Sequence, residues 1–200
     1  MRLNRNIFLA AATILAPTFS MAAEAVPADG GSGYNVVLMS LRGHRELPLE
    51  QLYTGYRKNI IAADEVLAWI KVPRAVANES VAAYKISKRY DDDISAVCLA
   101  VNLHIENGRV RAASIGAGGV AATPARAVKT EAALTGQAWT EATARKGMAL
   151  LRAECSPISD MRASGAYRTE VMGNLLLRFW LESQGVRQIN LESFSLERVP

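Results

Sequence analysis

The chain has 200 residues, half of them hydrophobic and 21% charged, with 14 Gly and 7 Pro. This composition excludes a disordered or collagen-like polypeptide and describes one globular domain with at most a small appendage. At this length folding buries roughly two-thirds of the surface the unfolded chain exposes, enough for a core without disulfide or metal staples. The net charge of +4 is spread along the chain without a basic block, which argues against nucleic acid as a partner.

Residues 1–25 read as a secretory signal peptide: Arg2 and Arg5, an apolar run from Ile7 to Ala16, then Pro17 and the small-residue patch Ala23-Glu24-Ala25 as an A-x-A cleavage site. The run is about ten residues, half of the roughly 20 needed to span a bilayer, so no transmembrane segment is expected after cleavage. A genuine signal places the protein in the periplasm or outside the cell; otherwise it is cytoplasmic. Residues 26–34, with Pro27, Gly30, Gly31 and Gly33, form a linker by composition. An oxidising compartment would allow Cys98 and Cys155 to pair, which the sequence leaves open.

The domain is expected over residues 35–190, followed by a tail at 191–200. Asn35 to Arg42 is apolar and β-prone, and Gly43-His44 before Arg45 to Leu47 suggests a hairpin. Glu65 to Val72 alternates, with Val66, Ala68, Ile70 and Val72 on one face and Leu67, Trp69 and Lys71 on the other, until Pro73 ends the ladder. Ala83 to Lys88 is a further β-prone stretch. From Ile94 to Glu106 the odd positions Val97, Leu99, Val101, Leu103 and Ile105 are apolar, which predicts a half-buried strand. Asn107-Gly108 follows as a type I′ hairpin signal, and Arg109 to Ile115 is the return strand.

Past Gly119 the period changes to helical. Thr123 as N-cap, Pro124 at the first helical position and Gly136 just past the end predict a helix over Pro124 to Thr135. Thr140 caps a second helix running to about Glu154. Ser159 or Asp160 opens a third, in which Val171, Leu175, Leu176 and Phe179 recur at helical spacing as far as Gly185. Strands grouped before helices indicate an α+β fold, an antiparallel sheet of three to four strands packed against about three helices.

Chemistry-bearing motifs are sparse. Two cysteines and two histidines (His44, His104) at wide spacing supply neither the four thiolates of an iron–sulfur cluster nor a structural zinc site, so redox chemistry would need a borrowed cofactor. Gly116 to Ala121 formally satisfies G-x-G-x-x-A, but the preceding strand belongs to an antiparallel hairpin, and a tight strand-to-helix turn is the simpler reading. Asp91-Asp92-Asp93 reads as a solvated turn, His104 as structural, and no serine lies in a G-x-S-x-G elbow. Lys85, on a strand leading into the charged loop, offers a cation to an anion or an electron-poor ring. The plain alternative is an exposed lysine with its stem along the sheet.

The runs AYKISKRYDDDISAV from Ala83, GAGGVAATPARA from Gly116 and PISDMRASGAYR from Pro157 resemble the C-terminal domain of the FAD-binding subunit in the xanthine dehydrogenase family of molybdenum hydroxylases, the CO dehydrogenase flavoprotein C-terminal domain type. RELPLEQLYTGYRKN and VLAWIKVPRA are similar to the segment leading into it. The resemblance implies an α+β fold and a role for FAD. It also implies partnership with a molybdenum-cofactor subunit and an iron–sulfur subunit, electrons passing through FAD to NAD or another acceptor. Carried over by position, Leu67 resembles the leucine packed near the flavin, Lys85 the lysine beside it, and Asp92 and Ile94 the loop bordering the flavin face.

The family subunit also carries a larger FAD domain whose glycine-rich loops hold the pyrophosphate, and a signal-like leader stands in its place here. The expectation is an oxidoreductase subunit fragment that holds FAD weakly or not at all alone and does not turn over by itself, because most binding groups are missing. The alternative is an exported α+β module that keeps the fold and binds a partner or small ligand without redox chemistry.

Overall fold

The structure, a computed structural model, describes residues 33–89 and 92–186. The leader, residues 26–32 of the linker, and the tail expected at 191–200 lie outside the described residues. β1 (Asn35–Ser40) and β2 (Gly43–Pro48) form the expected hairpin. Its turn is Leu41-Arg42 rather than Gly43-His44: Ser40 pairs with Gly43, and the Arg42 N–H donates to Ser40 Oγ at 3.1 Å. A 3-10 turn (Leu49–Gln51) and a ribbon of β3 (Tyr53–Gly55) and β4 (Lys58–Asn59) lead to β5 (Val66–Lys71), which pairs with β1 to complete a sheet ordered β2-β1-β5. Val36, Leu38, Leu47 and Leu52 form a small core of their own here.

Strict alternation along β5 does not hold. Trp69 pairs with Val37 and Leu67 with Leu38, so Ala68 is an extra residue without a partner, a β-bulge. The bulge moves Leu67 off the face of Trp69 and onto that of Leu38.

The larger unit is the expected α+β layer. β6 (Glu79–Ile86), β7 (Val97–Glu106), β8 (Arg109–Gly118) and β9 (Ala125–Arg126) make an antiparallel sheet in chain order. One face carries Val97, Leu99, Val101 and Leu103, all buried, with Ile115 and Ala117 of β8 and Tyr84 of β6. Against it pack α1 (Val128–Leu134), α2 (Glu141–Glu154) and α3 (Gly165–Ser183), contributing the fully buried Leu134, Leu151, Met172 and Leu176. Each such side chain removed from water contributes about 1.5–3 kcal/mol, which makes this layer the main source of stability. Asn107 and Gly108 take φ of 49° and 71°, the positive values that a type I′ turn requires. The small sheet is tied to the large one by an ion pair between Arg126 of β9 and Glu50 of the 3-10 turn at 3.6 Å.

Two helix starts differ from the sequence reading. α1 begins at Val128, not Pro124, because Ala125 and Arg126 pair with Ala117 and Gly116 as β9; sheet pairing outweighs the local Thr123-Pro124 signal. α3 begins at Gly165 with Ser164 as N-cap, its Oγ accepting from the Tyr167 N–H at 3.2 Å. Asp160 instead turns its carboxylate toward Arg168. α2 starts where expected, Thr140 Oγ1 accepting from the Thr143 N–H.

Candidate functional site

On the face of the four-stranded sheet turned away from the helices, two neighbouring rows consist mostly of small residues. Across it Ala83, Ala100, Gly116 and Arg126 stand in one row, and Lys85, Cys98 and Gly118 in the next. Gly116 lies in a strand interior at ordinary negative φ, and a Cβ added there would meet nothing within 4 Å. A glycine weakens a strand, and one that neither a turn nor internal packing requires leaves room for something lying on the sheet. The G-x-G run does not form a cradle: residues 116–118 are extended and paired, and the chain turns only at Gly119, at φ 78°.

The alternation of β6 puts Lys85 on this open face, exposed and opposite Cys98. Burial pushes the Cys98 thiol up from its usual range, and the Lys85 charge opposes that shift. The loop from β6 to β7 rises at the same end of the sheet. Within it Asp92 adopts φ 47° and its carbonyl accepts from the Arg89 guanidinium at 3.3 Å, while Ile94 is 63% exposed. The neighbouring Asp93 braces the loop: its carboxylate accepts from the Arg89 and Ile94 N–H groups at 3.1 and 2.9 Å, bonds that hold it below the usual carboxylate range. The Asp91-Asp92-Asp93 turn is therefore an internally bonded loop in its described part. Among the described residues no cluster of three His, Cys, Asp or Glu side chains is arranged to hold a metal.

Three of the four candidate residues, Lys85, Asp92 and Ile94, thus share one end of the large sheet. Leu67 sits apart on β5 of the small sheet, 39% exposed, where its partner is Leu38. Cys98 and Cys155 are both free thiols. Cys155 packs against the helical core, whereas Cys98 lies on the opposite face.

Sequence reasoning missed the buried polar groups beneath this end. Arg168, 4% exposed in the first turn of α3, donates through Nη1 to the carbonyls of Ala96 at 3.0 Å and Gly119 at 2.9 Å, and through Nη2 to Asp160 at 2.5 Å. Glu131 of α1, also buried, accepts from the Ile115 N–H at 2.7 Å and from Arg126 at 2.6 Å. A signal for the first was present in PISDMRASGAYR, whose Asp160 and Arg168 form the pair.

Chemically, the arrangement offers rows of small side chains beside the exposed Lys85 ammonium and an internally bonded acidic loop, a surface suited to a planar ring. Residues 82–183 match the family described as the CO dehydrogenase flavoprotein C-terminal domain. The chain belongs to this family.

Members and relatives of the flavoprotein domain family share more than that segment. The xanthine dehydrogenase/oxidase of Gallus gallus is 31% identical over 153 residues, 75% of this chain and 11% of that protein. The carbon monoxide dehydrogenase medium chain of Afipia carboxidovorans is 32% identical over 148 residues, 74% of this chain and 50% of that one. Among solved structures, carbon monoxide dehydrogenase from Hydrogenophaga pseudoflava superposes with a TM-score of 0.68 at 28% identity, covering 72% of this chain and 50% of its counterpart. The chain therefore spans half or less of the length of these relatives. Among the described residues no helix is long and apolar enough to cross a membrane.

Proposed function

We propose that this flavoprotein domain forms one wall of an FAD site in a molybdenum hydroxylase of the xanthine dehydrogenase type. The observation that carries the reading is Gly116, a strand glycine with open space above it, in a row with Ala83 and Ala100 that adjoins the row of Lys85, Cys98 and Gly118. Its residues fit the ring of FAD rather than its diphosphate. Small side chains let a planar ring approach to van der Waals contact, Lys85 offers a charged donor to acceptor atoms at the edge of an electron-poor ring, and the extended glycine run supplies no phosphate-binding turn.

When bound, FAD supplies the redox chemistry, accepting electrons that in this reading originate at a molybdenum-cofactor subunit and arrive through an iron–sulfur subunit. The chain's own residues orient and exclude. Lys85 balances negative charge on the ring, and Asp92 and Ile94 border the face where NAD or another acceptor arrives, while Leu67, apart on the small sheet, is left out of this wall. Further contacts come from a polypeptide equivalent to the half of the medium chain outside the alignment. β5, whose Val66, Trp69 and Ile70 are more than half exposed, is the apolar edge it would cover.

The test is a titration of the purified chain with FAD, followed by flavin fluorescence and the visible spectrum, beside Lys85→Ala. It is then repeated with the other half of a medium chain added. Weak saturable binding, further weakened by the substitution and tightened by the added half, is expected. Absence of binding up to about 1 mM FAD in both arms, a free energy weaker than roughly 4 kcal/mol, would overturn the reading in favour of a non-redox binding module. Export is proposed on the leader alone, and N-terminal sequencing that finds cleavage after Ala25 would favour the exported, non-redox alternative over the flavin reading.

A further inference from the structure

We propose that Arg168 is a positioning residue for the ring-facing end of the sheet, acting through the carbonyls of Ala96 and Gly119; its functional meaning rests on the flavin reading above. The two carbonyls belong to the segments that frame the candidate site. Ala96 ends the loop that carries Asp92 and Ile94 and leads directly into Cys98. Gly119 follows Gly118, which pairs with Cys98, which in turn pairs with Lys85. A Cβ at Gly119 would stand 2.4 Å from the Ala96 oxygen, so the two segments are already in contact before Arg168 reaches them.

Two carbonyl oxygens brought to one point repel unless a donor sits between them. Arg168 Nη1 is that donor, at 3.0 and 2.9 Å, and the planar fork leaves Nη2 for Asp160 at 2.5 Å. Asp160 is itself held by the N–H groups of Arg162 at 2.8 Å and Ala163 at 3.2 Å. A second tie runs parallel: Lys88 Nζ donates to the Met161 carbonyl at 2.7 Å, fixing the same loop to the same segment before α3.

Packing alone does not account for a guanidinium here. The inner surface of α3 is otherwise Met172, Leu175, Leu176 and Phe179, and an apolar side chain at a buried position is commonly as stabilising as an ion pair. Among the described residues the buried Arg168 Nε has no partner, so the side chain's bonding is concentrated in Nη1 and Nη2. What the charge provides that an apolar residue could not is the fixed distance between Ala96, Gly119 and α3. The Lys85–Cys98–Gly118 row inherits that geometry through the ladder.

Cys98 reports on this row without any flavin present. The experiment compares the full chain with Arg168→Met and Arg168→Lys. It reads the rate of Cys98 alkylation against pH by peptide mass spectrometry, the FAD titration, and cooperative unfolding to establish that each variant is folded. Arg168→Met is expected to change the Cys98 rate and weaken FAD binding by about tenfold, the scale of a lost charged hydrogen bond, with Arg168→Lys intermediate. A core variant, Leu151→Val, whose loss of stability is read in the same unfolding experiment, should leave the Cys98 rate unchanged, which separates positioning from general loosening. Folded Arg168 variants with the wild-type Cys98 profile would overturn the proposal. If Arg168→Met does not fold, Arg168→Lys decides alone, since a single ammonium cannot reproduce the fork. Should the unsubstituted chain bind no FAD even with the added half, the flavin reading fails while the Cys98 profile still judges Arg168.

Discussion

Glu154, the last residue of α2, closes the open end of α1: its carboxylate accepts from the backbone N–H and Oγ1 of Thr130, at 3.0 and 2.8 Å, and from the Lys129 N–H at 2.8 Å. α1 has no side-chain cap of its own, because the residue before it is Ala127. The cap thus comes from another helix, and α1 depends on α2 being in place. Glu154→Ala is expected to destabilise the domain by about 1–2 kcal/mol, the range for loss of an N-cap. Urea unfolding measures it, and an unchanged midpoint would show that water replaces the carboxylate without cost.

Gly119 and Gly116 make a matched pair of opposite expectation. At Gly119 the φ of 78° and the 2.4 Å approach of the Ala96 oxygen leave no room for a side chain, so Gly119→Ala is expected to cost about 2 kcal/mol or more. At Gly116 a methyl group enters open space, so Gly116→Ala should be neutral or stabilise by about 0.5–1 kcal/mol while weakening any ring bound on the sheet. Thermal melts and the FAD titration read the two effects separately; a Gly116 variant with unimpaired FAD binding would remove the ring from this face.

The small sheet carries an acid-sensitive ion pair. Arg45 donates to both carboxylate oxygens of Glu65, at 2.7 and 2.8 Å, and the Ala62 N–H adds a third bond, which together hold Glu65 down at about 2, against an ordinary value of 4.5. A carboxylate whose folded value is depressed contributes stability that is complete above its unfolded value and is lost as pH falls through the folded one. Stability should therefore decline as pH drops from about 4.5 toward 2, and Glu65→Gln should flatten that decline. Denaturant midpoints at pH 6 and pH 3 for both proteins check it; parallel slopes would assign the acid sensitivity to other carboxylates, such as Asp93 and Asp160, which are also held low.

Lys85 leaves a signature that needs no flavin. Its charge opposes the burial that raises the Cys98 thiol, so Lys85→Met should raise that thiol further and lower the thiolate fraction. Cys98 alkylation should then slow at a fixed pH between 7 and 9, and the rate–pH curve should move to higher pH. A curve that does not move would place the ammonium away from the thiol in solution.

The sequence by itself determined the elements whose signals are local. The alternation at Val97, Leu99, Val101 and Leu103, the Asn107-Gly108 turn and the Thr140 cap each act within a few residues, and each stands where the residues predict. Motif likeness carried the family, and with it the resemblance-based candidates Leu67, Lys85, Asp92 and Ile94. Tertiary structure decided what depends on distant partners. Residues 125–126 became a strand because β8 offered a free edge, overriding a good helix-start signal. Ala68 became a bulge because β1 fixes the register on both sides of it, turning Leu67 to the other face. Arg168 lies 72 residues from Ala96 and 49 from Gly119, and Glu154 lies 24 from Thr130. No periodicity links residues so far apart: a hydrogen bond between them exists only after the sheet and helices have packed and water has been excluded from the atoms that must find each other.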